Sequence, residues 1–450
     1  MHIDTLVHAR WVIPVEPAGQ IWDHYSVAIS QGRIHAILPT VAARAQCHAT
    51  QVIELPRHVI LPGLVNAHTH SAMCLLRGFA DDLPLMPWLQ DHIWPAEARW
   101  VSEAFVADGS RLAIAEMLRS GTTCFNDMYF FPEETAQAAV ALGIRSVIGL
   151  ILLNAPTVWA ADADAYLAQA RKVQAAVHDE PLISTTLAPH APYTVSDALL
   201  QRAMADPALP NRLHMHIHET VDEIQHSMTD YAVRPLQRLH QLGLVNEHLM
   251  AVHMTQLTAA EIEQLAAAGT HVVHCPESNL KLAAGACPVQ QLQGAGVNVA
   301  LGTDGAASNN DLDMLGEMRT AALFGKLVAK DASALSAEQV LRMATINGAQ
   351  ALGLGHEIGS LQPGKAADMI ALDLHDVASQ PVYNPLSQIV YSATRHQVSD
   401  VWVAGQQRLV QGELVGLDLA TLMTNVYDWR ERIANHGTHH KVISKYSHTP

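Results

Sequence analysis

Short apolar segments alternate with Ala- and Leu-rich amphipathic stretches through the middle of this 450-residue chain. That alternation predicts an α/β protein built on a (β/α)8, TIM-type barrel. Two further observations shape the prediction. Turn-rich, strand-like segments occupy both chain ends, so the barrel does not stand alone. Histidine is in surplus, 27 residues against 27 Lys plus Arg together, which directs attention to metal or acid–base chemistry.

The first 60 residues read as strands separated by breaks: VHARWVIPV, SVAISQGRIHAIL and TQVIELPRHVIL alternate apolar and polar positions. Eight barrel strands follow, at 62–68, 122–127, 145–152, 182–189, 212–218, 249–254, 270–275 and 297–304. Between them lie helical patterns such as ALLQRAMADPAL and AAEIEQLAAAG. An open doubly wound sheet is the rival architecture, but its first strand would lead into a Gly-rich nucleotide turn, and here it leads into histidines. The far end returns to strands, KAADMIALDL and SDVWVAGQQRLVQGEL, with turn signals at Gly364, Gly405 and Gly412. A His-rich tail closes the chain at 431–450, with His436, His439 and His440. Composition favours disorder over metal binding for that tail.

Composition narrows the function. Asp plus Glu is 43 against 27 Lys plus Arg, a formal charge of −16, which argues against nucleic acid or an anionic membrane as partner. No apolar run approaches the ~20 residues of a membrane helix, and no signal peptide is read at the N-terminus. Five cysteines without regular spacing fit a reducing cytoplasm better than a disulfide framework.

In such a barrel the catalytic groups project from the C-terminal ends of the strands. Those ends carry His68, His70, His190, His216, His218, Glu219, His253, His274 and Asp304. Any one of them alone reads best as a satisfied histidine or a helix cap. Ionisable residues at seven points of one rim read as a site. His68 and His70 are spaced to reach one ion from a strand end. A third imidazole from strand five and the Asp304 carboxylate would complete a three-His, one-Asp site for Zn²⁺, or less often Fe²⁺. Spacing alone does not choose between His216 and His218. No lysine lies between Lys172 and Lys281 to become a carboxylated bridge, so one divalent ion per chain is expected. If His216 is a ligand, Glu219 stands beside the bound water as a proton shuttle, and His253 can orient it.

The motifs PGLVNAHTH, HMHIHET, VHMT, HCPESNLKL and LGTDGAASNNDLDM resemble those of the amidohydrolase superfamily over nearly the whole chain, and GKAADMIALD is similar to the strand opening its C-terminal β-segment. The resemblance implies a composite β-sandwich from residues 1–60 and 359–430 flanking a catalytic barrel at 61–358. It implies a metal held by His68, His70, His216 and Asp304, with Glu219, His253 and Asp304 as catalytic groups.

Within the superfamily the chain is most similar to the 5-methylthioadenosine/S-adenosylhomocysteine deaminases. The stretch RGFADDLPLMPWLQDHIWPAE resembles their substrate loop, placing Trp88 against the substrate and Glu97 on the ribose hydroxyls. PHAPY implies His190 as a substrate-facing residue. The implied reaction is hydrolytic deamination at C6 of an adenine nucleoside, with Glu219 donating to N1. No arginine lies between Arg145 and Arg171, where some relatives meet a homocysteine carboxylate, so methylthioadenosine is favoured over S-adenosylhomocysteine. Other readings keep the metal and change the substrate (a guanine-type deaminase or an s-triazine chlorohydrolase), or drop catalysis for a metal-binding barrel. The implied partner is a small purine nucleoside, and a homo-oligomer is an open expectation.

Overall fold

A computed structural model describes residues 1–436; residues 437–450, with His439 and His440 of the tail, lie outside the described residues. The N-terminal strands are β1 (His2–Val12), β2 (Trp22–Ser30), β3 (Arg33–Pro39) and β4 (His48–Pro62). The barrel strands are β5 (Leu64–Thr69), β6 (Thr122–Tyr129), β7 (Arg145–Leu152), β8 (Ile183–Pro189), β9 (Leu213–Ile217), β10 (Leu249–His253), β11 (His271–His274) and β12 (Val299–Leu301). The chain then forms β13 (Met369–Asp373), β14 (Val398–Val403), β15 (Gln406–Val410) and β16 (Glu413–Leu414).

Strands β5 to β12 pair in parallel and in sequence order, each separated from the next by helix, so all eight predicted barrel strands are present. Strands β6 and β7 are buried at every position on both faces, as expected for a sheet covered on both sides. The last seam, between β12 and β5, closes by other bonds. The Asp304 N–H donates to the His68 carbonyl at 3.0 Å, and Asn66 exchanges bonds with Thr303 at 2.7 and 3.0 Å. Gly302 permits this approach, because a Cβ there would lie 2.8 Å from the His68 nitrogen.

Both chain ends build one β-domain, as expected. Its eight strands join in the order β16-β15-β14-β13-β4-β1-β2-β3, with β4 pairing parallel to β1 and antiparallel to β13. The hairpin turns at Gln31-Gly32, Ala404-Gly405 and Gln411-Gly412 all have φ > 0 at both positions, the backbone that two-residue hairpins require. A buried ion pair ties this domain to the barrel: Asp368, just before β13, accepts from Arg145 Nε at 2.9 Å and from the Ala404 N–H at 2.7 Å.

Residues 419–436 form a helix that lies on the barrel helix Glu103–Arg119 rather than extending the sheet. Among the described residues no helix is long and apolar enough to cross a membrane. All five cysteines are free and buried.

Candidate active site

The C-terminal strand ends open into a cavity of about 810 Å³, lined by His70, Trp88, Glu97, His190, His216, Glu219, His253 and Asp304 together with apolar side chains. Of the residues expected at the strand ends and on the substrate loop, His68, His218 and His274 do not reach its surface. His68 is fully buried directly behind, its Nε2 3.3 Å from Asp304 Oδ1 and 3.2 Å from His216 Nε2. His70 Nε2 lies 3.2 Å from the same Asp304 oxygen. The ligand atoms of His68, His70, His216 and Asp304 all fall within 4.8 Å of one another, the one such group among the described residues.

The hydrogen bonds around these rings decide what they can hold. Met128 O takes the Nδ1–H of His70 at 2.5 Å, and His190 O takes that of His216 at 2.7 Å. Both rings therefore turn Nε2 inward, bare in His216 and directed at Asp304 in His70. Burial holds His216 well below the ordinary histidine pKa and His68 at about 4, so both are neutral. With His68 protonated on Nδ1, toward His214 Nε2 at 2.8 Å, the Nε2 lone pairs of His68 and His216 face each other. That arrangement is repulsive alone and suits a cation between them. Burial opposes charge on His70, but the hydrogen bond it donates to the Asp304 carboxylate, with the charge of that carboxylate, pushes the ring up to about 9. Burial also works against the Asp304 carboxylate, yet its bonds to both histidines hold it well below the usual range. Ser278 Oγ donates to its other oxygen at 2.7 Å. Three imidazole nitrogens and one carboxylate, with His70 yielding its Nε2 proton to the ion, form a donor set that fits a divalent transition metal.

The structure also separates His216 from His218. Side chains on a strand alternate faces, so 216 and 218 would point the same way if the strand continued. It does not: β9 ends at Ile217, and His218 adopts φ +54°. Its ring turns outward, accepting from the Leu236 N–H at 3.1 Å. The pair sharing the inner face is His214 and His216. His274, counted on the rim from sequence, does not line the cavity either. Asp304 and His253 also have φ > 0, at +62° and +73°, so three rim residues hold sparsely populated backbone conformations.

Glu219 is 7% exposed, its Oε1 3.8 Å from His253 Nε2. Burial raises its pKa. Its position is set by groups that sequence reasoning missed. Glu223 accepts the N–H groups of His218 and Glu219 at 3.0 and 2.8 Å, and Thr255 Oγ1 donates to the Glu219 carbonyl at 2.7 Å. His253 donates its Nδ1–H to Asn279 Oδ1 at 2.9 Å, which leaves Nε2 facing the cavity. His190 is held near Thr194 Oγ1, at 3.2 Å, and burial keeps it neutral, with a pKa of about 3.

The opposite wall is the helical run Leu85–Trp100, which includes a π-helical stretch at Leu89–Ile93. Trp88 is anchored by its Nε1–H on the Ala80 carbonyl at 3.1 Å. Glu97 accepts from the Tyr129 hydroxyl at 2.8 Å, and burial raises its pKa to about 7. Among the described residues no lysine or arginine lines the cavity. Arg145 is committed to Asp368 and Arg171 to Asp206.

Residues 59–408 match the model of the amidohydrolase family. Among similar proteins, a 5-methylthioadenosine/S-adenosylhomocysteine deaminase of Teredinibacter turnerae is 50% identical over 96% of this chain and 98% of its own. One of the same name from Saccharophagus degradans is 47% identical over 96% and 97%. A crystal structure of an adenosine deaminase from Xanthomonas campestris with bound zinc superposes with a TM-score of 0.95 at 52% identity, covering 96% of this chain and 99% of that one. On these grounds the chain belongs to the amidohydrolase family.

Proposed function

We propose that this chain is a metal-dependent hydrolytic deaminase of adenine nucleosides that converts 5′-methylthioadenosine to the inosine analogue and ammonia. The observation that carries the reading is the meeting of the four-ligand cluster, the Glu219–His253 pair and Glu97 around one cavity. The names of the half-identical relatives support the substrate class.

A divalent ion held by His68, His70, His216 and Asp304, zinc as in the Xanthomonas relative, supplies Lewis acidity and a water whose pKa falls toward ~7. The chain's own side chains do the rest. Glu219 accepts a proton as water adds to C6 and delivers it to purine N1, a task its raised pKa suits. His253 presents Nε2 to the same point, where it orients the attacking water. The second water proton passes to the exocyclic amino group, with Asp304 as the nearby carboxylate, and ammonia leaves as the C6 carbonyl forms. His190 faces the ring from β8, and Trp88 covers it.

Glu97 is assigned to the ribose 2′- and 3′-hydroxyls, because a carboxylate accepts from two donors at once. Guanine and s-triazines carry no ribose, and this assignment separates the reading from those alternatives. A homocysteine carboxylate would meet no lysine or arginine among the described residues of the cavity wall, whereas an uncharged methylthio group suits the apolar lining of Leu85, Ile93, Phe130 and Leu153. Five free cysteines support a reducing cytoplasmic setting.

The test is ammonia release by the zinc-loaded protein on methylthioadenosine, adenosylhomocysteine, adenosine, guanine and an s-triazine. Methylthioadenosine should give the highest kcat/KM. Preference for guanine or a triazine, or no reaction with any adenine nucleoside, overturns the reading.

A further inference from the structure

We infer that Tyr129 is a positioning residue for sugar selectivity: it fixes Glu97 so that the free acceptor sites of the carboxylate face the ribose. The inference rests on the assignment of Glu97 to the ribose diol. Tyr129 is the last residue of β6, and the end of that strand is shared between the two halves of the cavity. Its predecessor, Met128, holds His70 through the backbone carbonyl at 2.5 Å. Tyr129 itself, 4% exposed, donates its hydroxyl to Glu97 Oε1 at 2.8 Å. Its successor, Phe130, lines the cavity. One strand end thus sets the distance between a metal ligand and the sugar-binding carboxylate.

The contact spans 32 residues of sequence and joins a rigid strand to a helical wall held by apolar packing. Glu97 sits in the first turn of the helix Trp94–Trp100 with three free side-chain torsions. Among the described residues, Tyr129 is the one group that hydrogen-bonds its carboxylate. A single donor occupies one of about four acceptor positions and leaves the rest for two hydroxyls. A side chain ordered before binding spares the substrate the cost of ordering it. Burial raises the carboxylate to about 7, and the phenol works against that rise by favouring the ionised, accepting form.

Tyr129→Phe removes only the hydroxyl and keeps the ring that packs near Phe130. We expect KM for methylthioadenosine to rise about tenfold with kcat within about twofold, and the ratio of kcat/KM between ribo- and 2′-deoxyribo-substrates to fall about tenfold, with bound zinc unchanged. A double-mutant cycle locates the effect: in a Glu97→Ala background, Tyr129→Phe should change the ratio no further. If Glu97→Ala leaves the ratio intact, the ribose assignment itself fails. If Glu97→Ala collapses the ratio and Tyr129→Phe does not, the positioning role is overturned. A loss of zinc or kcat in Tyr129→Phe would mean the residue acts through Met128 and His70, and a lowered melting temperature with an unchanged ratio would mean packing alone. Either result also overturns the proposal.

Discussion

The two walls of the cavity are built by different physics. The metal wall stands on strand ends, and each ring is aimed by a directional bond: His70 by Met128 O, His216 by His190 O, His253 by Asn279 and Asp304 by Ser278. The substrate wall, Leu85–Trp100, is placed mainly by burial, with directional bonds at Trp88 and Glu97. Leu85, Trp88, Leu89, Ile93 and Ala96 share an apolar cluster with Phe105 of the barrel helix and with Trp429 and Ile433 of the C-terminal helix. Trp429 reaches over this cluster to donate its Nε1–H to Asp108 at 3.0 Å. Hydrogen bonds fix angles, whereas apolar contacts fix only separation. The first wall should therefore govern metal and turnover, and the second KM and selectivity.

The largest expected effect is on the metal wall. His216→Ala removes one of four ligands and should lose most of its zinc and at least ~10³-fold in turnover, as read by elemental analysis and steady-state rates. Full zinc retention would break the assignment of that wall. Next comes Glu97→Ala, which should keep zinc and kcat while discrimination between ribose and deoxyribose falls roughly ten- to hundredfold, the worth of about 1.5–3 kcal/mol in lost charged hydrogen bonds. Trp429→Ala tests the brace. It should lower the melting temperature and raise KM about threefold or more, with zinc content unchanged, because a buried indole is lost behind the substrate wall and not at the metal. The smallest effect is on pH dependence. Glu97, raised to about 7 by burial, carries its proton below that pH and loses acceptor capacity. KM for ribonucleosides should therefore rise severalfold from pH 8 to pH 6, while KM for 2′-deoxy substrates changes less.

The metal wall was far more legible in the sequence than its supports. His68, His70, Glu219 and Asp304 follow apolar strands whose period and length are plain, and barrel geometry puts such ends on one rim. Strand alternation could not choose between His216 and His218, because the decision lies in the left-handed backbone of His218, a residue type that does not announce φ > 0. The roles of Tyr129, Ser278 and Asn279 were not legible, although the last two lie in the motif HCPESNLKL, because each acts on a partner 26 to 32 residues away that local pattern does not encode. Glu223 was missed although it lies four residues from Glu219, because its first-turn position reads equally well as a favourable helix-start charge. The helix Leu419–His436 crosses the boundary that sequence reading sets at 430 between the β-segment and the His-rich tail, and its Trp429 and Ile433 pack in one apolar cluster with Phe105 of the barrel helix.

The account turns on a proton-shuttling carboxylate beside a metal site, and Glu219→Gln tests this most directly. The substitution keeps the shape of the side chain and removes the titratable proton. Measured on protein of known zinc content, the variant should hold about one zinc per chain, still bind methylthioadenosine, and turn it over roughly 10²- to 10⁴-fold more slowly. Near-normal turnover with zinc in place would contradict the account, because the proton would then travel by another group.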